Sequence, residues 1–490
     1  MTWGRKYSDA LARNTRHTEN TRKRFVCSLP MEPAGTRMGA VEEFVGGIGQ
    51  ADYRAGAGYR LAVAYTHMFE WLKRKLLLLL RRSESYTKTD MLYMAQGGFW
   101  LTLAKGVGMF SSLLLAAAMA NLIPAEVFGT YKFVLSAAGI IGAFALTGIG
   151  TAIIQAVARG YEGALRSGIV EYLKWSIGTI TLSVAAALYY WINDNSILAT
   201  AFLIVAVFNP ILIGSSFFTQ FISGKKDFKT QSIFDSIADF IPAIILISAV
   251  YVSDDPALII LTFFIAGTII NLMLYRATIK KYRPNESIDP QTIPYAKHLS
   301  LIGVMGKVGE NIDKVLVFHY LGAAPLALYA FAQTPIAQLK LLNEIPVKLA
   351  IPKLSTRSLA ELKRTLPRKI FLLVGIMAVI VVSYIVVAPF IFKLLFPKYV
   401  GAVIYTQILA LSLILAPGSI FSDALAAHMK KRELYISQAI LPIVKIALFI
   451  LLLPLFGIWG AVWATIISQA ITFVVFGYLF WQAKHEGVTV

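Results

Sequence analysis

Cysteine is almost absent: Cys27 is the only one in 490 residues. A disulfide framework and a cysteine-based zinc site within one chain are thereby excluded. Charge is equally scarce. Asp, Glu, Lys and Arg make up 15% of the chain, against roughly 25% in soluble domains. No GxxxxGK[ST] loop occurs, so no built-in ATPase motor is expected, and no HExxH pattern or His/Cys cluster suggests a catalytic metal. What fills the chain instead is apolar residue, 57% of the total, with a mean hydropathy of +0.65. That composition predicts an all-α integral membrane protein. The net charge of +19 then has to be read by its position relative to a bilayer, and no nucleic-acid partner is expected.

A helix needs about 20 mostly apolar residues to cross a bilayer. About twelve segments meet that length: 94–120, 128–156, 172–192, 197–221, 233–252 and 256–274, then 296–321, 325–349, 370–392, 402–427, 434–456 and 459–481. Spans 7 and 8 are the most charged. The loops after every even-numbered span hold the basic residues, among them Arg159, Arg166, Lys225, Lys226, Lys280, Lys281, Arg364, Arg368 and Lys430. The alternate loops are short and nearly free of Lys and Arg, with Lys393 and Lys398 as the exceptions. By the positive-inside rule both termini are expected in the cytoplasm, and the protein in the cytoplasmic membrane of a prokaryote.

Residues 1–90 carry 16 basic and 9 acidic groups and no span. Residues 1–67 are expected to be disordered or an over-extended start, with initiation at Met68 or Met91. Residues 68–90 read as a basic juxtamembrane helix, either lying on an anionic leaflet or simply orienting span 1. The remainder divides into an N-lobe, 91–285, and a C-lobe, 286–490. Leu103-Ala104-Lys105-Gly106-Val107-Gly108 in span 1 matches Met305-Gly306-Lys307-Val308-Gly309-Glu310 in span 7. Phe128-Gly129-Thr130-Tyr131-Lys132-Phe133 matches Leu326-Ala327-Leu328-Tyr329-Ala330-Phe331 at similar spacing. An even number of spans precedes the second copy, so the repeat is parallel, six helices plus six.

Ionisable groups inside spans are costly and face a cavity or a partner. Lys307, Glu310, Asn311 and Lys314 share a sector of roughly 100° on span 7, with Asp313 to one side. Gln333, Lys340, Glu344 and Lys348 share a face of span 8, and Lys105, Lys132 and Lys445 lie within spans 1, 2 and 11. One reading is a cationic cavity in which Lys105, Lys132, Lys307, Asn311, Lys314 and Lys340 receive an anionic head group. The other is a set of internal ion pairs, Lys307–Glu310–Lys314 above all. Glu310, Asp313, Asp235, Asp239 and Asp423 are candidates for coupling to H⁺ or Na⁺. For the last three a simple place beside the basic loops is the competing reading. No cofactor beyond such an ion is expected. Pro210, Pro242, Pro335, Pro346, Pro417 and Pro442 fall inside spans and are expected to kink them.

Glu126-Val127-Phe128-Gly129-Thr130-Tyr131, Thr147-Gly148-Ile149-Gly150, Asp313-Lys314, Leu328-Tyr329-Ala330, Lys398-Tyr399-Val400-Gly401-Ala402 and Gly457-Ile458-Trp459-Gly460-Ala461 with Ala464-Thr465 occur in this order. In these motifs the chain from about Met91 onward resembles polysaccharide repeat-unit (O-antigen) flippases of the multidrug/oligosaccharidyl-lipid/polysaccharide (MOP) exporter superfamily. The resemblance implies a V-shaped, two-lobed fold around a cavity lined by spans 1, 2, 7 and 8. It implies an isoprenoid-diphosphate-linked oligosaccharide as cargo, and other polysaccharide-assembly membrane proteins as candidate partners. A 90-residue N-terminal extension departs from the family. The alternatives are a cation-coupled multidrug exporter of the same superfamily and a non-transporting scaffold of an envelope-synthesis complex.

Overall fold

The computed structural model describes residues 91–428 and 430–483. The expectations for residues 1–67 and 68–90 lie outside the described residues.

The described chain is helical throughout. The N-lobe consists of α1 (Met91–Leu122), α2 (Ala125–Gly142), α3 (Ile149–Ala158), α4 (Ala164–Ile192), α5 (Ser196–Ser215), α6 (Phe218–Gly224), α7 (Phe228–Val252) and α8 (Pro256–Tyr282). The C-lobe consists of α9 (Thr292–Leu321), α10 (Ala323–Thr356), α11 (Leu359–Leu395), α12 (Val403–Ala410), α13 (Ser419–Ala427), α14 (Lys431–Phe456) and α15 (Ile458–Gln482). Two 3₁₀ stretches, Pro397–Ala402 and Leu411–Gly418, flank α12.

Among the described residues nine helical segments are long and apolar enough to cross a membrane. The protein is therefore a multi-pass membrane protein, although composition and length qualify fewer than the twelve spans expected. The difference has a physical cause in each case. Span 2 is broken into α2, 18 residues long but carrying Glu126 and Lys132, and α3, whose 10 residues are too short alone. Spans 7 and 8 form long helices, α9 and α10, whose charges disqualify them as apolar. At the break in span 2, a Cβ on Gly148 would lie 2.5 Å from the Ala296 carbonyl, so only glycine lets α9 approach there. Helical assignment continues through Pro210, Pro242, Pro335, Pro346 and Pro442, and gives way to 3₁₀ only around Pro417.

The basic loops gather at one end of the bundle, here the basic end, and the short turns poor in Lys and Arg at the other. At the charge-poor end both lobes share one core. Phe128 of α2 stacks on Phe331 of α10, 4.1 Å between centroids, and Phe133 stacks on Phe318 of α9 at 3.9 Å. The two copies of the repeat thus pack against each other. Stacked pairs contribute about 0.5–1.5 kcal/mol each beyond burial. Gly129 abuts the Ala323 backbone so closely that a Cβ would lie 1.9 Å from its carbonyl oxygen. Lys398, an exception to the charge alternation, donates to the Asn121 carbonyl at the end of α1 (2.7 Å), where a cation suits the helix dipole. Asn121 donates in turn to the Leu395 carbonyl at 3.1 Å. Towards the basic end the lobes keep separate cores. One is built around Ile149, Tyr172, Phe218 and Phe221, the other around Leu362, Ile370, Phe421 and Phe480. Helix α9 bridges them, held to the N-lobe through Gly148 N–H to Ser300 Oγ (2.8 Å) and to α14 through Tyr435 and His298 (2.9 Å).

Candidate functional site

Lys105, Gly108 and Ser112 form a stripe along α1, since residues three and four apart share a helix face. A Cβ on Gly108 would meet Asp239 Oδ2 of α7 at 2.6 Å, and Ser112 Oγ accepts from Gln338 Nε2 of α10 at 2.8 Å. The stripe therefore faces α7 on one side and the C-lobe on the other. Exposed Lys105 lies within electrostatic reach of both Asp235 and Asp239. Asp235 also accepts from Thr219 Oγ1 of α6 at 2.8 Å. The opposite face of α1 forms an apolar groove of about 620 Å³ with Phe240 of α7, lined by Phe99, Leu103 and Phe110.

Between the lobes, Lys307 Nζ donates to Glu310 Oε2 at 2.8 Å, and Asn311 Nδ2 donates to the Lys307 carbonyl at 3.1 Å. These three line a cavity of about 420 Å³ with Gly139 and Thr147, Tyr172 and buried Asn209 of the N-lobe. Lys307 and Glu310 are both more than half exposed, so their ion pair is weak and separable.

Lys314 does not join that pair. It turns to Asp313, 3.5 Å away, in a buried network that the helical wheel of span 7 alone does not reveal. Asp313 Oδ1 also faces Lys445 Nζ of α14 at 3.7 Å. Its Oδ2 accepts from Gln333 Nε2 (3.0 Å) and Tyr329 OH (3.3 Å) of α10. Tyr329 OH meets Thr465 Oγ1 of α15 at 3.0 Å, and Lys445 donates to the Gly309 carbonyl at 2.6 Å. Every polar atom of the buried carboxylate is thus engaged, as burial of an ion demands. The half-buried Lys132 of α2 sits over the Phe128 and Tyr131 rings, 5.3 and 5.8 Å from their centroids, and within electrostatic reach of Lys314. Exposed Lys340 lies within reach of Lys445.

Of the six residues expected to form one cationic cavity, Lys307 and Asn311 line the cavity of about 420 Å³, and the other four fall into two unlike groups. On one side, Lys314 and Lys445 of the C-lobe share the carboxylate Asp313, with Lys132 of α2 and Lys340 of α10 within electrostatic reach of them. On the N-lobe side, Lys105 is shared by two carboxylates, Asp235 and Asp239. Asp423, in α13, is brought to neither; no hydrogen bond or ion pair reaches it among the described residues. The side chains of Glu344 and Lys348 lie outside the described residues. Tyr329, Gln333, Lys445, Thr465 and Thr219 were not assigned to the site from sequence. The available signal was a mid-span acid, Asp313, and a mid-span base, Lys445, each requiring a partner.

A family model described as polysaccharide biosynthesis protein matches residues 94–352. No curated protein matches the chain. Solved structures share the fold. An inward-facing multidrug-resistance MATE-family transporter of the MOP superfamily superposes with a TM-score of 0.61 at 12% identity, covering 78% of this chain and 99% of that one. An outward-facing MATE-family transporter gives 0.53 at 13% identity, covering 80% and 97%. Lipid II flippase MurJ, in an inward closed conformation, gives 0.54 at 14% identity, covering 77% and 86%. At such identities the superpositions show the fold alone, and it is the helical fold expected from the sequence. With more than half of its length matched by the family model, from α1 through most of α10, the chain belongs to the polysaccharide biosynthesis protein family.

Proposed function

We propose that the protein flips isoprenoid-diphosphate-linked oligosaccharide repeat units from the cytoplasmic to the outer leaflet, for cell-surface polysaccharide synthesis. The observation that carries this reading is the buried carboxylate Asp313 facing two ammonium groups, Lys314 and Lys445, with Lys132 within electrostatic reach of Lys314 and Lys340 of Lys445, so that positive charge is in excess there among the described residues. Lysine binds phosphate as a point charge, and a low-dielectric site strengthens the attraction. A pocket for cationic drugs would need the opposite sign, which weighs against the multidrug-export alternative. Charge alternation in the loops supports a cytoplasmic basic end.

The head group enters where Lys307 and Glu310 are exposed and passes towards Lys314 and Lys132, beneath the Phe128–Phe331 stack. Its isoprenoid chain stays in the bilayer. Asp235 and Asp239 are the proposed site of H⁺ or Na⁺ coupling, because one shared ammonium leaves one of their two charges unmatched. Glu310 and Asp313 are less suited, each already bonded to lysine.

The purified protein is expected to bind an isoprenoid-diphosphate disaccharide about tenfold more weakly after Lys314→Gln, the loss of one charge-assisted contact. Lys445 still neutralises Asp313 in that variant. Binding of an analogue without phosphate should not change. Equal loss for both ligands would contradict a phosphate role for Lys314.

A further inference from the structure

A second cavity, of about 1000 Å³, lies at the basic end, remote in sequence from Asp313 and its lysines and formed by α4, α8 and the inter-lobe connection. Its wall sets four basic residues, Arg166, Lys174, Arg276 and Lys280, and three acidic ones, Glu162, Glu171 and Glu286, among apolar side chains such as Val170, Ile279 and Ile293. Arg166 begins one wall on α4, and Arg276 and Lys280 stand one turn apart on α8. All three are exposed and engage no acidic partner among the described residues. The acids nearby are largely committed. Glu162 bonds Lys225 at 2.6 Å, and Glu171 is held by Lys174 (3.4 Å) and Lys297 (3.6 Å), leaving Glu286 against three cations.

Along the same faces the cations give way to exposed apolar residues in the direction of the membrane interior. On α4, Val170, Leu173 and Ile177 follow Arg166, and on α8, Met273 and Ile269 precede Arg276. A phosphate at the level of the cations would therefore have its hydrocarbon laid along both helices. Free phosphate would use only the upper half of such a site. Basic pockets between spans at a membrane face suit acidic head groups, and the volume suits a head group with the first part of its chains.

We propose that this cavity is a binding site for an acidic phospholipid. The position gives the lipid a mechanical consequence. The roof of the cavity is the connection between the lobes, tied down by Gly163 N–H to the Ser287 carbonyl (3.0 Å), Asn285 Nδ2 to the Gly160 carbonyl (3.1 Å) and the Arg159–Asp289 ion pair (2.6 Å). A bound phospholipid stiffens the N-lobe end of that connection.

The full chain in neutral detergent, titrated with phosphatidylglycerol or phosphatidylcholine and followed by native mass spectrometry, tests this. One phosphatidylglycerol is expected to bind selectively. Its affinity should fall about tenfold or more in the Arg166→Gln/Arg276→Gln/Lys280→Gln variant, and about threefold in Arg276→Gln alone, which guards against misfolding of the triple variant. Equal binding of the two lipids, or unchanged phosphatidylglycerol affinity in both variants, overturns the proposal. Displacement of the lipid by inorganic phosphate alone overturns its assignment to a phospholipid.

Discussion

Gly129→Ala is expected to cut transport by about tenfold or more while leaving each lobe folded. A β-carbon at that position would lie 1.9 Å from the Ala323 carbonyl oxygen and 2.5 Å from its carbonyl carbon, both backbone atoms that cannot turn aside. The collision falls in the shared core at the charge-poor end, where α2 meets the start of α10. Overpacking costs about 1–3 kcal/mol, which shifts a two-state balance by roughly 5- to 150-fold. The closed arrangement of that end is the state that is lost. The separate cores at the basic end do not touch Gly129, so the variant should purify normally. Spin labels at exposed positions 192 and 455, one on each lobe at that end, in a background where Cys27 is replaced, should report a broadened and longer distance. Unchanged flipping and an unchanged distance would show that this contact does not govern closure.

The second large effect is on stability. Asp313→Asn leaves Lys314 and Lys445 facing each other without a counter-charge in the C-lobe. Removing one partner of a buried pair costs about 3–5 kcal/mol. Here Asp313 is 4% exposed and Lys445 21%, so solvent does little to relieve the repulsion. Lys445→Met alone should cost less, because Lys314 still serves Asp313. The double variant Asp313→Asn/Lys445→Met should be more stable than Asp313→Asn, since it removes the orphaned charge. Thermal melting in detergent measures all three. A double variant no better than Asp313→Asn would mean that the Tyr329 and Gln333 hydrogen bonds, rather than charge balance, explain the loss.

Much of the fold was legible in the sequence because a bilayer imposes severe patterns. Apolar runs located the helices, and loop charge separated the basic end from the other. The motifs behind the resemblance turn out to be contact points. Gly129 and Gly148 are where α2 and the α2–α3 break meet the C-lobe. Tyr399 packs on Phe331, 4.2 Å between centroids. Asp313, Tyr329 and Thr465, from three separate motifs, converge on one network. The two exceptions to charge alternation were not interpretable from sequence, yet Lys398 proves to cap α1 across the lobe boundary.

The site was less legible for a geometric reason. A helical wheel orders residues around one axis and says nothing of which helix lies opposite. It grouped Lys314 with Glu310, one turn away, but the nearer partner is the adjacent Asp313, drawn into the C-lobe by Lys445, Gln333 and Tyr329. Likewise Lys105 matched Lys307 by repeat, yet its neighbours are Asp235 and Asp239 on α7. Of the four spans that the resemblance implies as lining, α2 and α9 contribute to the cavity of about 420 Å³, together with α4, α5 and α8, and repeat position did not give the sign of charge around each lysine.

Reconstituted flipping tests the central claim most directly. Liposomes carrying the protein and a labelled isoprenoid-diphosphate oligosaccharide would be followed for exposure of the sugar on the far leaflet. Wild-type protein and Lys369→Gln, altered at an exposed position in the first turns of α11, are expected to flip the lipid at similar rates. Lys132→Gln/Lys314→Gln, melting as wild type does, is expected to fall to the rate of empty liposomes. Flipping that survives in the double variant, or wild-type liposomes that expose no sugar yet expel cationic dyes, would contradict it.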